Sequence, residues 1–493
     1  MRPLPAKPVV APAGRAVIAL SMFARAPIFA LACVLAGGLA GCATHATPVP
    51  EVKAPSAWSM TPASSKGAQP VTREWFQAFG STELNSLIAS AYADNFDIQE
   101  ANARLRQADA RARAAGAAIL PQVDFNADAT SFAGHSSEGS AHETDTSALV
   151  SASYEVDFWG KNRAARASAE ASRAASDADR AVVMLTTVTG IANTYFHLIA
   201  LREGTALARS TADFAHQLLD VVEARAKTGL ANPAELAQQR AAVANAEIHV
   251  GELQQQEVEE TAALAILVGK MPGSLEVNTR DLSGLNAPRI GAGLPSELLA
   301  RRPDVLSAEE SLQAAHADLA QARAAFFPSV TLTANGGVQN PAVQAAVITL
   351  AGVGPSLTVG ASLVQSIFNG GRLRAARDEA TAKEEEMIAH YRSAALAAMW
   401  DVEIALSSID RLDRQTQAQQ ASLKQSEIGL ASAQARYRAG SGDFLTVLDA
   451  ERTVIGAREQ MTQYRLAKLQ AAVGLCKALG GGWRPGEGEH VGG

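Results

Sequence analysis

No proline occurs between Gly160 and Asn232, and none between Phe368 and Arg484. Proline removes a backbone donor and clashes with the preceding helical turn, so a chain without it over such distances is free to form very long helices. From each strand to the Gly-containing turn that follows, a helix of about 65 residues is allowed, about 100 Å long at the α-helical rise. An ordinary globular domain has no use for an element of that length. Composition agrees, with alanine abundant and aromatic residues at only 5%, because alanine is the best helix former. Ala164, Ala167, Ala171 and Ala174 in the first run, and Ala394, Ala397 and Ala398 in the second, are expected to let neighbouring helices approach closely. A solvated coiled coil is the plain alternative.

The two runs belong to a tandem duplication. Asp97-Ile98 opens a helical stretch that ends at Pro121, and Asp304-Val305 opens one of the same length that ends at Pro328. An alternating strand, a polar loop and a second alternating strand follow each proline. The second strands run into DFWGKNRAAR (Asp157 to Arg166) and IFNGGRLRAAR (Ile367 to Arg377), where the long helices begin. Those helices reach EARAKTGLANPAEL (Glu223 to Leu236) and QARYRAGSGDFLTV (Gln434 to Val447), each a turn followed by a further helix. The repeats are assigned to residues 73–285 and 286–480, with a flexible tail over 481–493.

The strands have unlike faces. Val123, Phe125, Ala127 and Ala129 oppose Asp124, Asn126, Asp128 and Thr130, and the same period of two recurs over 150–158, 330–335 and 356–363. Each is about the length of a tilted membrane strand. A half-buried soluble sheet also alternates, but here the apolar faces are thin and rich in alanine. Four strands cannot close a barrel, and a membrane barrel leaves no edge unpaired in lipid. Membrane strands in this chain would have to be pooled from several copies.

At the N-terminus, Arg15 and Arg25 precede an apolar run from Ile28 to Ala40. It is too short for a spanning helix and reads as a signal-peptide core. It ends in Leu39-Ala40-Gly41-Cys42, which resembles a bacterial lipobox whose cysteine becomes the lipidated first residue of the mature protein. Residues 1–41 are then the signal peptide, starting at Met1 or Met22, and 42–72 a lipid-anchored segment. Ala43, in place of an aspartate, matches the sorting pattern for the outer membrane. Loss of Cys33 with the signal and lipidation of Cys42 leave only Cys476, so no intramolecular disulfide can form. A single lipid group anchors without spanning. The net charge of -7 gives no basic footprint for nucleic acid.

No catalytic constellation is found: there is no HExxH pair, phosphate loop or strand-Ser-helix elbow. His135, Glu138, His142 and Glu143 could be read as a metal cluster, yet their position in the polar loop favours an exposed loop and no metal site. Gly352 and Gly354 are followed by Pro355 and a strand, where a nucleotide-binding turn needs a helix.

The segment LPSELLARRPDVLSAEESLQAAHADLAQARAAFFPSVTLT, Leu294 to Thr333, closely resembles the one that marks the outer-membrane factors of tripartite efflux systems, in the TolC-like and OprM-like lipoprotein branch. ANTYFHLIALRE, LAILVGKMPG, SIFNGGRLRAAR and ARYRAGSGDFLTVLDAER match in order, so the resemblance runs from about Trp75 to Leu479. It implies a mixed α+β membrane protein: a homotrimer pooling four strands per chain into a 12-stranded outer-membrane β-barrel, continued by a periplasmic α-helical barrel. The polar strand faces, with Asp124, Asp128, Glu155 and Asp157, would line the lumen. The tips at Gly229, Leu230, Gly440 and Ser441 would meet a periplasmic adaptor, linked to an inner-membrane pump of the RND type. Glu235 and Tyr437 would tie the two tip hairpins together at the periplasmic aperture, and Asp449 would form a ring of carboxylates that favours cations. Gly442 and Thr446 depart from the pattern, lacking a basic gate-linking residue and a second acidic ring; Arg436 is the substitute donor. The implied function is the exit duct of an efflux pump for small toxic compounds, with no enzyme activity and no cofactor beyond the covalent lipid on Cys42. A periplasmic coiled-coil scaffold lipoprotein and a type I secretion duct are the alternatives.

Overall fold

A computed structural model describes residues 53–59, 69–136, 139–229, 232–340, 354–439 and 441–484. Cys42, Glu138, Leu230 and Gly440 lie outside the described residues.

A short helical turn over Trp75–Phe79 leads into α1 (Thr82–Asp94) and α2 (Phe96–Ala117). Strands β1 (Gln122–Ser136) and β2 (Gly139–Val156) follow, then α3 (Lys161–Lys227) and α4 (Pro233–Leu267). The second repeat has α5 (Pro303–Ala324), β3 (Ser329–Asn340), β4 (Gly354–Val364), α6 (Arg372–Arg438) and α7 (Phe444–Ala478). The duplication holds to the residue: α2 and α5 have 22 residues each, α3 and α6 have 67, and α4 and α7 have 35. Pro121 and Pro328 each stand immediately before a strand, as the sequence predicts.

Side-chain caps fix the starts of α1 and α2. Ser81 Oγ accepts from Leu84 N at 3.0 Å and Asn95 Oδ1 from Ile98 N at 2.9 Å. The Asn95 amide also donates to Leu267 O at 2.8 Å, joining the start of α2 to the end of α4. Just beyond that end, Gly269 has φ +74°, and a Cβ there would stand 2.3 Å from Asp94 O. Gly480, just beyond α7, repeats the approach with φ +82° and Arg301 O at 2.4 Å. Only glycine permits both the left-handed conformation and the contact.

Two apolar clusters carry the packing around the joint of the repeats, and a third lies at the helical tip. Trp75, Phe79, Ile191, Tyr195, Phe196 and Leu264 gather in one, and Leu298, Val305, Tyr391 and Val402 in the other. Helix α7 belongs to both, giving Val473 and Cys476 to the first and Leu475 and Ala478 to the second. The repeats are thus mortised by one helix. Arg302, 8% exposed, sits beside this joint. Its guanidinium donates to Asp304 at 2.6 and 2.9 Å, to Asp401 at 2.8 Å and to Ala478 O at 3.2 Å. The Arg-Arg-Pro-Asp stretch of the quoted segment is therefore a structural knot between α5, α6 and α7.

Three expectations are corrected. The strands are 15, 18, 12 and 11 residues long, so His135, His142 and Glu143 lie on β1 and β2, in paired register, and not in a polar loop. In the first third of α3 the buried small residues include Ser168, Ala175, Ala178 and Ala181, whereas Ala167 is exposed; on α6, Ala395 and Ala398 are buried and Ala397 is exposed. The expected flexible tail begins with packed residues: Gly481 is buried, and a Cβ on it would meet Leu185 at 2.4 Å.

Candidate functional site: a two-faced sheet and a paired helical tip

The four strands form one antiparallel sheet in the order β1-β2-β3-β4. Its register sorts the side chains. Asp124 pairs with Ser151, Ser151 with Asn335 and Asn335 with Thr358, which puts four polar residues in one row on one face. The period of two adds Asn126, Asp128, Ser153, Glu155, Thr331 and Thr333 to that face. The next row runs Val123, Ala152, Ala334, Val359 and faces the other way. Phe125 is 69% exposed and Leu357 79%. A bare apolar face that backs a polar one, with β1 and β4 left as open edges, suits a barrel wall with lipid outside, water inside and neighbouring copies on both edges.

At the lower rim of the sheet, Glu155 pairs with Lys161 at 2.6 Å. Asp157, expected on the lumen face, lies past the end of β2. Its carboxylate accepts from Asn162 N at 3.2 Å and Arg163 N at 2.9 Å, capping the positive end of α3. Trp159 donates to Pro328 O at 2.8 Å and stacks on Phe327 with ring centroids 4.6 Å apart. This contact locks the strand-to-helix corner of the first repeat onto the helix-to-strand corner of the second.

At the far end, α3 turns into α4 and α6 into α7. Asn232 Oδ1 caps α4 by accepting from Ala234 N at 2.9 Å, and Glu235 lies in the first turn of that helix. Asp443 caps α7, accepting from Thr446 N and from the Thr446 hydroxyl, each at 3.1 Å. Those two bonds, the backbone one first, hold the Asp443 carboxyl below its ordinary range. Ser441 N donates to Arg436 O at 3.0 Å and closes the end of α6. A Cβ on Gly442 would meet Arg436 Cβ and Tyr437 N at 3.1 Å, so the residue that departs from the family pattern is used for a tight turn.

The two hairpins are joined. Phe444 packs against Leu218 and Val222, with Leu236, Tyr437 and Leu448 around them. The Tyr437 hydroxyl accepts from the Arg225 guanidinium, which also stacks over the ring at 5.5 Å from its centroid. Within the protomer the bonded partner of Tyr437 is Arg225 and not Glu235, and Arg436, expected to stand in for the basic residue missing at Gly442, makes no side-chain bond among the described residues. Arg225 occupies in the first repeat the position of Arg436 in the second, 211 residues on, and that equivalence was the signal available in the sequence. Asp449 is exposed on α7.

The family model described as "Outer membrane efflux protein" matches residues 87–270 and 294–481. The chain is 43% identical over 465 residues to the pyoverdine export outer membrane protein OpmQ of Pseudomonas aeruginosa, covering 92% of this chain and 96% of that protein. It is 30% identical over 419 residues to the cation efflux system protein CusC of Escherichia coli, covering 83% and 88%. The solved outer-membrane channel OprN superposes with a TM-score of 0.79 at 26% identity, over 88% of this chain and 99% of the other. Three copies pool their strands into a 12-stranded barrel in the Gram-negative outer membrane, the helices continue it into the periplasm, and an adaptor and an inner-membrane pump complete the assembly. Members of the family are channels, not enzymes. The chain belongs to the outer membrane efflux protein family and is the exit duct of a tripartite efflux system.

Proposed function

We propose that this duct releases a secreted compound of the pyoverdine class. The observation that carries the reading is 43% identity to a pyoverdine exporter along nearly the whole of both chains. Cys42 carries the lipid, followed by an anchored segment to residue 72, the two repeats over 73–285 and 286–480, and a tail from 481. Asp124, Asp128 and Glu155 line the lumen and give it a cationic preference. The tips at Gly229, Leu230, Gly440 and Ser441 receive the adaptor, and Glu235, Arg436, Tyr437 and Asp449 surround the aperture. Exposed backbone at glycine turns admits a partner's close approach, which supports the tip assignment.

The test is complementation. Expressed in Pseudomonas aeruginosa lacking OpmQ, the chain should restore pyoverdine in the medium, and Cys42→Ala should lower the amount of channel in the outer membrane. A correctly assembled trimer that restores no pyoverdine would overturn the cargo, and an unchanged membrane level of Cys42→Ala would overturn the anchor.

A further inference from the structure

The repeat makes the seam between protomers readable from a contact inside one. Within the chain, α3 of the first repeat lies against α5 and α7 of the second. On closing a ring, α6 of the second repeat must lie in the same manner against α2 and α4 of the next chain. Residue equivalence is fixed by the helix starts: α5 begins 207 residues after α2, and α6 begins 211 residues after α3.

The exposures fit this substitution. Thr189 on α3 is 3% exposed, whereas its equivalent on α6, Trp400, is 64% exposed, flanked at one-turn spacing by Leu396 at 62% and Ile404 at 49%. On the opposite edge, Phe96 of α2 is 71% exposed, while its equivalent Pro303 of α5 is buried. Each edge is covered in the copy inside the protomer and bare in the copy outside it. The bare edges carry the large apolar residues.

A polar contact crosses the internal seam on this level, from Ser307 Oγ of α5 to Asp179 Oδ1 of α3 at 2.5 Å. The equivalent of Ser307 is Glu100 and the equivalent of Asp179 is His390. The sides have exchanged acid for donor, and the pair remains complementary. Four other helical histidines each have a glutamate partner in the chain: His197 with Glu260, His216 with Glu247, His249 with Glu459 and His316 with Glu384. His390 is exposed and has none among the described residues. Among the described residues the Glu100 carboxylate is bonded to Arg104 alone, one turn away, with its side chain 60% exposed.

We propose that the occupant of the bare α6 face is α2 and α4 of a second copy of this chain, with His390 of one protomer against Glu100 of the next. The inference rests on the trimeric channel reading. Protonated His390 forms an ion pair with the carboxylate, and the neutral ring donates a hydrogen bond to it. Phe96 and the Leu396–Trp400–Ile404 stripe exclude water on the side of the pair away from the sheet.

The test uses full-length chain in the outer membrane, with Glu100→Cys and His390→Cys combined and treated with a short bis-maleimide. Cys476 is buried and leaves the background low. The pair should give dimer and trimer bands on denaturing gels, and Asp179→Cys with Ser307→Cys should give only intrachain product. Glu100→Cys with Ala397→Cys, two turns along α6, should yield several-fold less intersubunit product. A trimer detected by heat-sensitive migration but without the expected bands, or equal yield from the displaced pair, overturns the seam. Absence of any trimer would instead overturn the channel reading beneath it.

Discussion

Arg302 is the residue on which the joint between the repeats depends most. Arg302→Met keeps much of the stem's volume and removes the charge, which leaves Asp304 and Asp401 without their partner and Ala478 O without its donor. Breaking a buried ion pair from one side costs about 3 to 5 kcal/mol, because the remaining charge stays buried unpaired. The two aspartates here have side chains 38% exposed, so water relieves part of the loss and the low end, about 3 kcal/mol, applies. That is roughly 100-fold in the ratio of folded to unfolded chain. Arg302→Lys restores the charge without the planar fork and should recover only part of the loss. The assay is the temperature at which the purified trimer shifts to monomer mobility on gels, followed alongside loss of helical circular dichroism. Arg302→Met should fall well below the parent, with Arg302→Lys between them. If both variants match the parent, the Arg302 knot contributes nothing and α7 is held by its apolar contacts alone.

Gly480→Ala forces φ +82° on a residue with a Cβ and drives that Cβ against Arg301 O. It should cost more than the ~1–2 kcal/mol of the left-handed conformation alone and lower the trimer's melting temperature. Gly229→Ala has φ +73° with open space around it and should leave the trimer level unchanged, so equal behaviour of the two would contradict the close-approach argument. Glu451 on α7 is pushed up to about 7 by burial. Because the folded chain holds this proton where the unfolded chain has already released it, stability falls as pH rises from the ordinary carboxylate range toward 7. Glu451→Gln should flatten that part of the stability profile, and an unaltered slope would show that the group is solvated.

The repeat and the helix lengths were legible because Pro121 and Pro328 mark the helix-to-strand corners and a Gly-containing turn ends each long helix, at Gly229 after α3 and at 439–442 after α6. The strand ends were not. Over Ala133 to Thr146 small and polar residues give alternation too little contrast, and the ladder continues through them because its partner strand is present. The small-residue stripe of α3 is out of phase with the expectation because alanine occupies almost every face there, and only the tertiary packing chooses Ser168 and Ala175 for burial. Asp157 kept the right parity for the lumen, but a helix N-terminus two residues away from Trp159 competes for its carboxylate and wins. Arg225 was missed because its partner stands 212 residues away, a distance across which no local pattern reports.

The same equivalence that predicts the seam also shows where it is weakest. Within the protomer, Phe444 is held by Leu218 and Val222, all under 10% exposed, and Tyr437 by Arg225. Between protomers the equivalent positions are Pro233, Gly429, Ala433 and, opposite Arg436, Ala226, none of which can repeat those contacts. The six hairpins are therefore three bonded pairs, and a wider aperture is reached more easily by separating pairs than by splitting them. Arg225→Ala removes an exposed charge-assisted hydrogen bond and a cation–π contact, together about 1 to 2 kcal/mol, or roughly a 5- to 30-fold rise in the fraction of split pairs. Spin labels at Thr228 and Asp443 should keep a constant separation within each parent protomer when adaptor is added, while Thr228 to Thr228 distances across the trimer lengthen. In Arg225→Ala the first distance should broaden and single-channel conductance should become heterogeneous. A parent whose Thr228 to Asp443 distance changes on opening, with the distances across the trimer fixed, would mean that the pairs split and that Arg225 holds nothing of consequence.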